Sequence, residues 1–172
     1  TNFIEFKNAA SLKNNNILLI DPSLPKITFF NFYGIIFDLP TAFIEILFNL
    51  ENSKIYFELR HFLNFIIFFI SSIFFFQILL KRFNFYLGIF GLFIYILTPR
   101  IFGDSFFNNK DILFLSLLTI SISFLFKYFE RAEFKNLFFF CLFSALATST
   151  RIMGIYLPIL FIFFIFIEYL SN

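Results

Sequence analysis

The stretch Thr98-Pro-Arg-Ile-Phe-Gly-Asp-Ser-Phe-Phe-Asn-Asn-Lys-Asp111 gathers two cations, two acids and two amides between apolar runs. Charges beside long hydrophobic segments are costly unless they are paired, solvated or put to use. Acids and cations held this close together make a candidate site; the plain alternative is a solvated loop. A second reading of Asp111 is as the cap of the helix that follows, a position Asp suits. Arg151 also stands out, between two apolar runs with no acid close to it in sequence. Either its guanidinium snorkels to the interface, or it points into the protein and holds an anion such as a phosphate.

These side chains need elements to position them. Five apolar segments, residues 62–80, 85–98, 112–126, 137–150 and 152–167, are divided by short polar clusters. The first carries no charge and is long enough for a span of about 20 residues. Only Arg151 separates the last two. One helix through both would be about 46 Å long at ~1.5 Å per residue, well beyond a hydrocarbon core of about 30 Å. A break is therefore predicted near Arg151 and Gly154, with Pro158 starting or kinking the last helix.

Ahead of the spans, Asp38, Thr41, Glu45, Asn49 and Asn52 follow one another at intervals of 3, 4, 4 and 3, and Ile36, Leu39, Phe43, Leu47 and Leu50 keep the same period. That makes one polar stripe on a helix over about residues 35–52, not the alternation of a strand. Pro40 starts or kinks it. The segment reads as an amphipathic helix lying in the membrane interface, or else as a helix packed on the bundle. Residues 1–31 read as a polar loop.

Composition supports this frame. Of 172 residues 60% are hydrophobic and 14% charged, with mean hydropathy +0.88; soluble domains carry roughly a quarter charged residues. The implied fold class is all-α, a polytopic transmembrane helix bundle. The net charge of +2 comes with no basic stripe for nucleic acid. The 36 Phe, with Trp absent, read as AT-rich codon bias at positions that need only be apolar. A single cysteine, Cys141, excludes an intrachain disulfide. One histidine, His61, argues against a histidine-based metal site, and no metal ligand is assigned. Dinucleotide, Walker and zinc-protease motifs are missing. Lys81, Arg82, Lys127, Arg131 and Lys135 fall on one side of the spans, and Arg100, Lys110 and Arg151 on the other. This favours the first side as cytoplasmic, although Lys54 and Arg60 would even the tally. Acids from Glu5 to Asp111 crowd the outer side. The chain opens at Thr1, with neither Met nor signal-peptide pattern, and is expected to be a fragment cut at both ends.

Four stretches taken in order are Phe32-Tyr-Gly-Ile-Ile-Phe-Asp-Leu39, Leu59-Arg-His-Phe-Leu-Asn64, the Pro99 to Asp111 string, and Thr150-Arg-Ile-Met-Gly154. Through them the chain resembles the membrane glycosyltransferases of the protein O-mannosyltransferase and aminoarabinose-transferase superfamily, with its GT-C fold, and in particular their bacterial RgtA/B/C/D-like branch. The likeness covers residues 32–157, and the string ending at Asp111 is its most specific part. The resemblance implies a polyprenyl-phosphate sugar as donor. It implies an acceptor hydroxyl on a glycan, lipid or protein, and transfer with inversion on the extracytoplasmic face. It further implies residence among the lipids of a bacterial inner membrane. No cofactor is expected, with a divalent metal left open.

The family's catalytic acid sits in the first outer loop and finds no match here, so it is expected ahead of Thr1. Asp111 matches the acid that opens the span after the second outer loop, with Arg100, Asn108 and Lys110 beside it. The resemblance makes Asp111 the first candidate catalytic residue and Asp38 the second. Candidate substrate-binding residues are Arg100, Asn108, Lys110, Arg151 and Tyr33. The expected layout is an extracytoplasmic loop over residues 1–61, bearing the interfacial helix, and a bundle over residues 62–172. The rival reading is a non-enzymatic polytopic membrane protein such as a transporter subunit. Such proteins also place charges at broken helices, but typically show an internal repeat, and none stands out here. A third reading is a membrane enzyme that binds the lipid phosphate but flips or polymerises the glycan.

Overall fold

The computed structural model describes residues 36–48 and 53–171, and every regular element among them is helical. Helix α1, Asp38–Leu47, carries Pro40 in its first turn, where a missing N–H leaves no helical bond unmade. The buried Thr41 hydroxyl donates to the carbonyls of Phe37 at 2.9 Å and Asp38 at 3.0 Å. Helix α2, Ser53–Arg82, has 30 residues and runs unbroken through residues 61 and 62. At ~1.5 Å per residue it is about 45 Å long, which leaves its charged first turns beyond a core of about 30 Å. Lys54 and Glu58 pair on that exposed stretch at 3.7 Å.

Asn84 reverses the chain by accepting the Leu87 N–H at 2.9 Å, and helix α3, Phe85–Leu97, follows. Thr98 is driven to an extended ψ of 115° by the proline after it, and Pro99 opens helix α4, Pro99–Phe107. The bend between α3 and α4 is 58°. The sequence predicts a loop here, and the structure makes most of it helix. Nine residues containing Gly103 are too short a run to stand out as a helix from the charged stretch around them. What stabilises α4 is its cover by α2: the Phe106 ring stacks on Phe65 at 4.9 Å, and Asn64 donates to the Ser105 carbonyl at 2.8 Å.

Helix α5, Asp111–Glu130, is the centre of the molecule. It lies parallel to α2 in a steady register. Phe74 sits beside Phe124 at 5.7 Å, Lys127 donates to Gln77 at 3.3 Å, and Lys81 pairs with Glu130. Helix α6, Phe134–Thr150, returns along α5. Small residues at this contact, Ser116 and Ser121 on α5 with Ser144 and Ala147 on α6, are buried. They let two backbones approach closely, as membrane helix pairs do. The Ser121 hydroxyl reaches the Phe140 carbonyl at 3.3 Å. Leu113, Leu117, Leu125, Phe140 and Ala147 form the core with Phe37 and Leu157.

The chain breaks at Arg151, which is extended at φ −144° and ψ 136°. One 3-10 turn, Ile152–Ile155, leads into helix α7, Tyr156–Ser171, with Pro158 in its first turn. Glycine is required at 154. A Cβ there would lie 2.3 Å from the Thr148 nitrogen and 2.5 Å from its Cα. The turn therefore folds back directly onto the backbone of α6.

Segments Lys54–Arg82, Asp111–Glu130 and Ile152–Leu170 are long and apolar enough to cross a membrane. The bent pair α3–α4 makes a fourth if it counts as one span, and α6 is apolar but shorter. Ile159, Ile162, Phe163 and Phe166 of α7 are exposed, as lipid-facing side chains are. The chain is an integral membrane protein, an all-α polytopic bundle.

Candidate functional site

Asp111 and Arg151 meet, although 40 positions separate them. The hairpin of α5 and α6 brings them together. Asp111 is the first residue of α5, and Arg151 caps the end of α6. A negative charge is favoured at a helix N-terminus and a positive one at a C-terminus. Asp111 Oδ1 pairs with Arg151 Nη2. Asp111 Oδ2 accepts from Asn108 Nδ2 at 2.9 Å. The Asn108 oxygen in turn accepts the backbone N–H of Asp111 at 3.0 Å and of Lys110 at 3.3 Å. So the Asn108 side chain satisfies the first N–H of α5, while the Asp111 carboxylate is turned to Asn108 and Arg151. Both charged side chains are partly exposed, at 40% for Asp111 and 33% for Arg151. The Arg151 Nε is itself buried, with no hydrogen-bond partner among the described residues. Leaving such a donor unmade costs about 1–3 kcal/mol.

A second cluster forms around Arg60 of α2. Its guanidinium donates to Asp38 at 3.0 Å, to the Thr41 hydroxyl at 3.1 Å and to Glu45 at 3.3 Å. It also lies 4.8 Å from the centre of the Tyr56 ring. The polar stripe of α1 thus faces the protein, while Leu39, Phe43, Ile46 and Leu47 are exposed. That is the orientation of a helix whose outer side meets lipid. Burial raises the Glu45 carboxyl above the usual carboxylate range, against the pull of Arg60.

Beneath α1 runs a groove of about 430 Å³ between α2, α5 and α6. Leu63, Ile67 and Phe74 of α2 line it with Leu113, Leu117 and Ile120 of α5. Phe37, Pro40 and Ile44 supply the α1 side. Neither Asp111 nor Arg151 lines it; Thr41, which accepts from Arg60, does.

Of the residues singled out in the sequence, Asp111, Asn108 and Arg151 come together, and the Lys110 backbone joins them. Arg100 does not: its side chain is 90% exposed and faces Asp104 at 3.9 Å. Asp38 belongs to the Arg60 cluster. Tyr33 lies outside the described residues, as do residues 1–31. Arg60 and Glu45 were missed as site residues. Their signal was present in the polar stripe of α1 and one arginine just ahead of the uncharged run, but nothing in the spacing linked the two.

Fold and site define a class: a polytopic membrane protein that sets charged clusters at the ends of its helices and keeps an apolar groove beneath α1. The dolichyl-phosphate-mannose-protein mannosyltransferase family matches residues 39–171, and the chain belongs to that family. It is a membrane glycosyltransferase of the GT-C type, in a family whose donors are polyprenyl-phosphate sugars. No curated protein and no solved structure matches the chain.

Proposed function

We propose that this chain is the part of a glycosyltransferase that holds a polyprenyl-phosphate-linked sugar and presents it to an acceptor hydroxyl on the extracytoplasmic face of a bacterial inner membrane. The observation that carries this reading is the Asp111–Arg151 pair, set where α5 begins and α6 ends. The lipid phosphate is a good leaving group, so catalysis needs positioning and charge uptake. In this reading Arg151, with Lys110 beside it, receives the phosphate, and the isoprenoid chain lies against the apolar helices of the bundle. The acceptor oxygen attacks the anomeric carbon from the face opposite the phosphate, which inverts it. The new C–O bond forms as the bond to the phosphate oxygen breaks, and the hydroxyl proton passes to a carboxylate. Asp111 is the first carboxylate this segment offers for orienting or accepting that transfer, and Asp38 the second. The acceptor is a hydroxyl of a glycan, lipid or protein.

The test is Asp111→Asn in the full-length enzyme with its lipid-linked sugar. Turnover should fall by about 100-fold or more, the scale of a general-base contribution, with normal expression and insertion. Retention of more than about a third of turnover, a difference under ~1 kcal/mol, would make Asp111 structural.

A further inference from the structure

We infer that Asp111 occupies the phosphate's place on Arg151 until the donor arrives, so that donor binding frees the carboxylate. The inference rests on the proposed role of Arg151 as the phosphate ligand. Its geometry is on one guanidinium. The edge formed by Nε and Nη2 is the fork that grips a phosphate or carboxylate with two parallel bonds. Asp111 Oδ1 sits on the Nη2 arm, while the Nε arm is buried and unpartnered among the described residues. Asp111 therefore holds half of a two-armed site and leaves the other half unsatisfied. A phosphate, with more oxygens than a carboxylate can turn toward the fork, satisfies both arms. It does so by taking the Nη2 position from Asp111, since the fork then holds one phosphate oxygen on each arm.

Displacement does not set the carboxylate adrift. Asn108 Nδ2 holds its second oxygen at 2.9 Å, and the N-terminus of α5 favours its charge. Asp111 is thus kept at the site, detached from the cation that draws its electron density. The chain carries an order of events: donor first, then a carboxylate available to the acceptor. An acceptor arriving alone meets an Asp111 already engaged.

The distinguishing consequence is that a mutation which disables turnover should tighten donor binding. The measurement is the Kd of the full-length protein in lipid nanodiscs for a polyprenyl phosphate that carries no sugar. Arg151→Gln should raise Kd about tenfold or more, as losing a charged two-bond contact does. Asp111→Asn should lower Kd at least about threefold, the scale of a half-exposed ion pair. In the Arg151→Gln background, Asp111→Asn should change nothing, because the competitor has nothing left to compete for. If Arg151→Gln leaves Kd unchanged, the phosphate-binding role of Arg151 itself is overturned. If Arg151→Gln weakens binding but Asp111→Asn leaves it unchanged or weakens it, the displacement alone is overturned. Asp111→Ser serves the same comparison should the Asn variant fail to insert.

Discussion

Asn108 uses both ends of one side chain at the same corner. Its oxygen takes two backbone N–H groups at the start of α5, and its nitrogen holds the Asp111 carboxylate. Asn108→Asp separates the two tasks. The new carboxylate keeps the cap acceptor, so thermal stability should change by no more than about 1 kcal/mol. It loses the N–H donor and sets a second negative charge against Asp111. Turnover of the full-length enzyme should drop about tenfold or more, the size of one hydrogen bond to a charged group. Unchanged turnover would mean that Arg151 alone holds Asp111 in place. At this scale the sequence was informative about who and silent about with whom. Asp111 and Arg151 stand out because charge amid apolar residues calls for a reason. Their pairing depends on the register of two helices across 40 positions, which no local spacing encodes. Arg60 was likewise visible as a charge, but its three partners lie on another helix.

Elements were read best where periodicity is long. The polar stripe of α1 was legible from its spacing of three and four, and the break at Arg151 from the arithmetic of helix length. What periodicity does not contain is direction. The stripe on α1 turns inward to Arg60, and its apolar side turns out. Helix α4 escaped altogether because its stability comes from Phe65 and Asn64 on α2 rather than from its own nine residues. Two glycines offer a paired test of how these elements are held. Gly154→Ala would place a methyl group 2.3 Å from the Thr148 nitrogen. It should cost about 1–3 kcal/mol or more, as overpacking against fixed backbone does, and lower the apparent Tm. Gly103→Ala, inside α4 with nothing within 4 Å of its Cβ, should leave Tm unchanged or raise it, by up to about 1 kcal/mol of helix propensity. Equal effects of the two would contradict the close turn described at Gly154.

On the scale of the whole molecule, the charged pairs lie at the two ends of parallel helices. Asp111 begins α5 and Glu130 ends it, about 30 Å apart along a helix of that length. The Asp111 end is proposed to face the outside. Single cysteines at Gly103 and Asn109 should then react with an impermeant thiol reagent in intact cells, and cysteines at Asn84 and Ala132 should not. Cys141 is exposed and must first be replaced. The reverse labelling pattern would turn the molecule over and remove the site from the extracytoplasmic face.

The close turn at Gly154 has a mechanical meaning. A helix break is commonly a joint, but this one has no slack. The glycine Cα lies against the α6 backbone, so α6, Arg151 and the start of α7 form one stiff piece. The Asp111 side is fixed as well, by the packing of Ile112 and Leu113 in the core and by backbone bonds from Ile112 to Asn108 and from Phe114 to Lys110. The two charges are therefore carried on two stiff backbones, and what can part them is the turning of the side chains themselves.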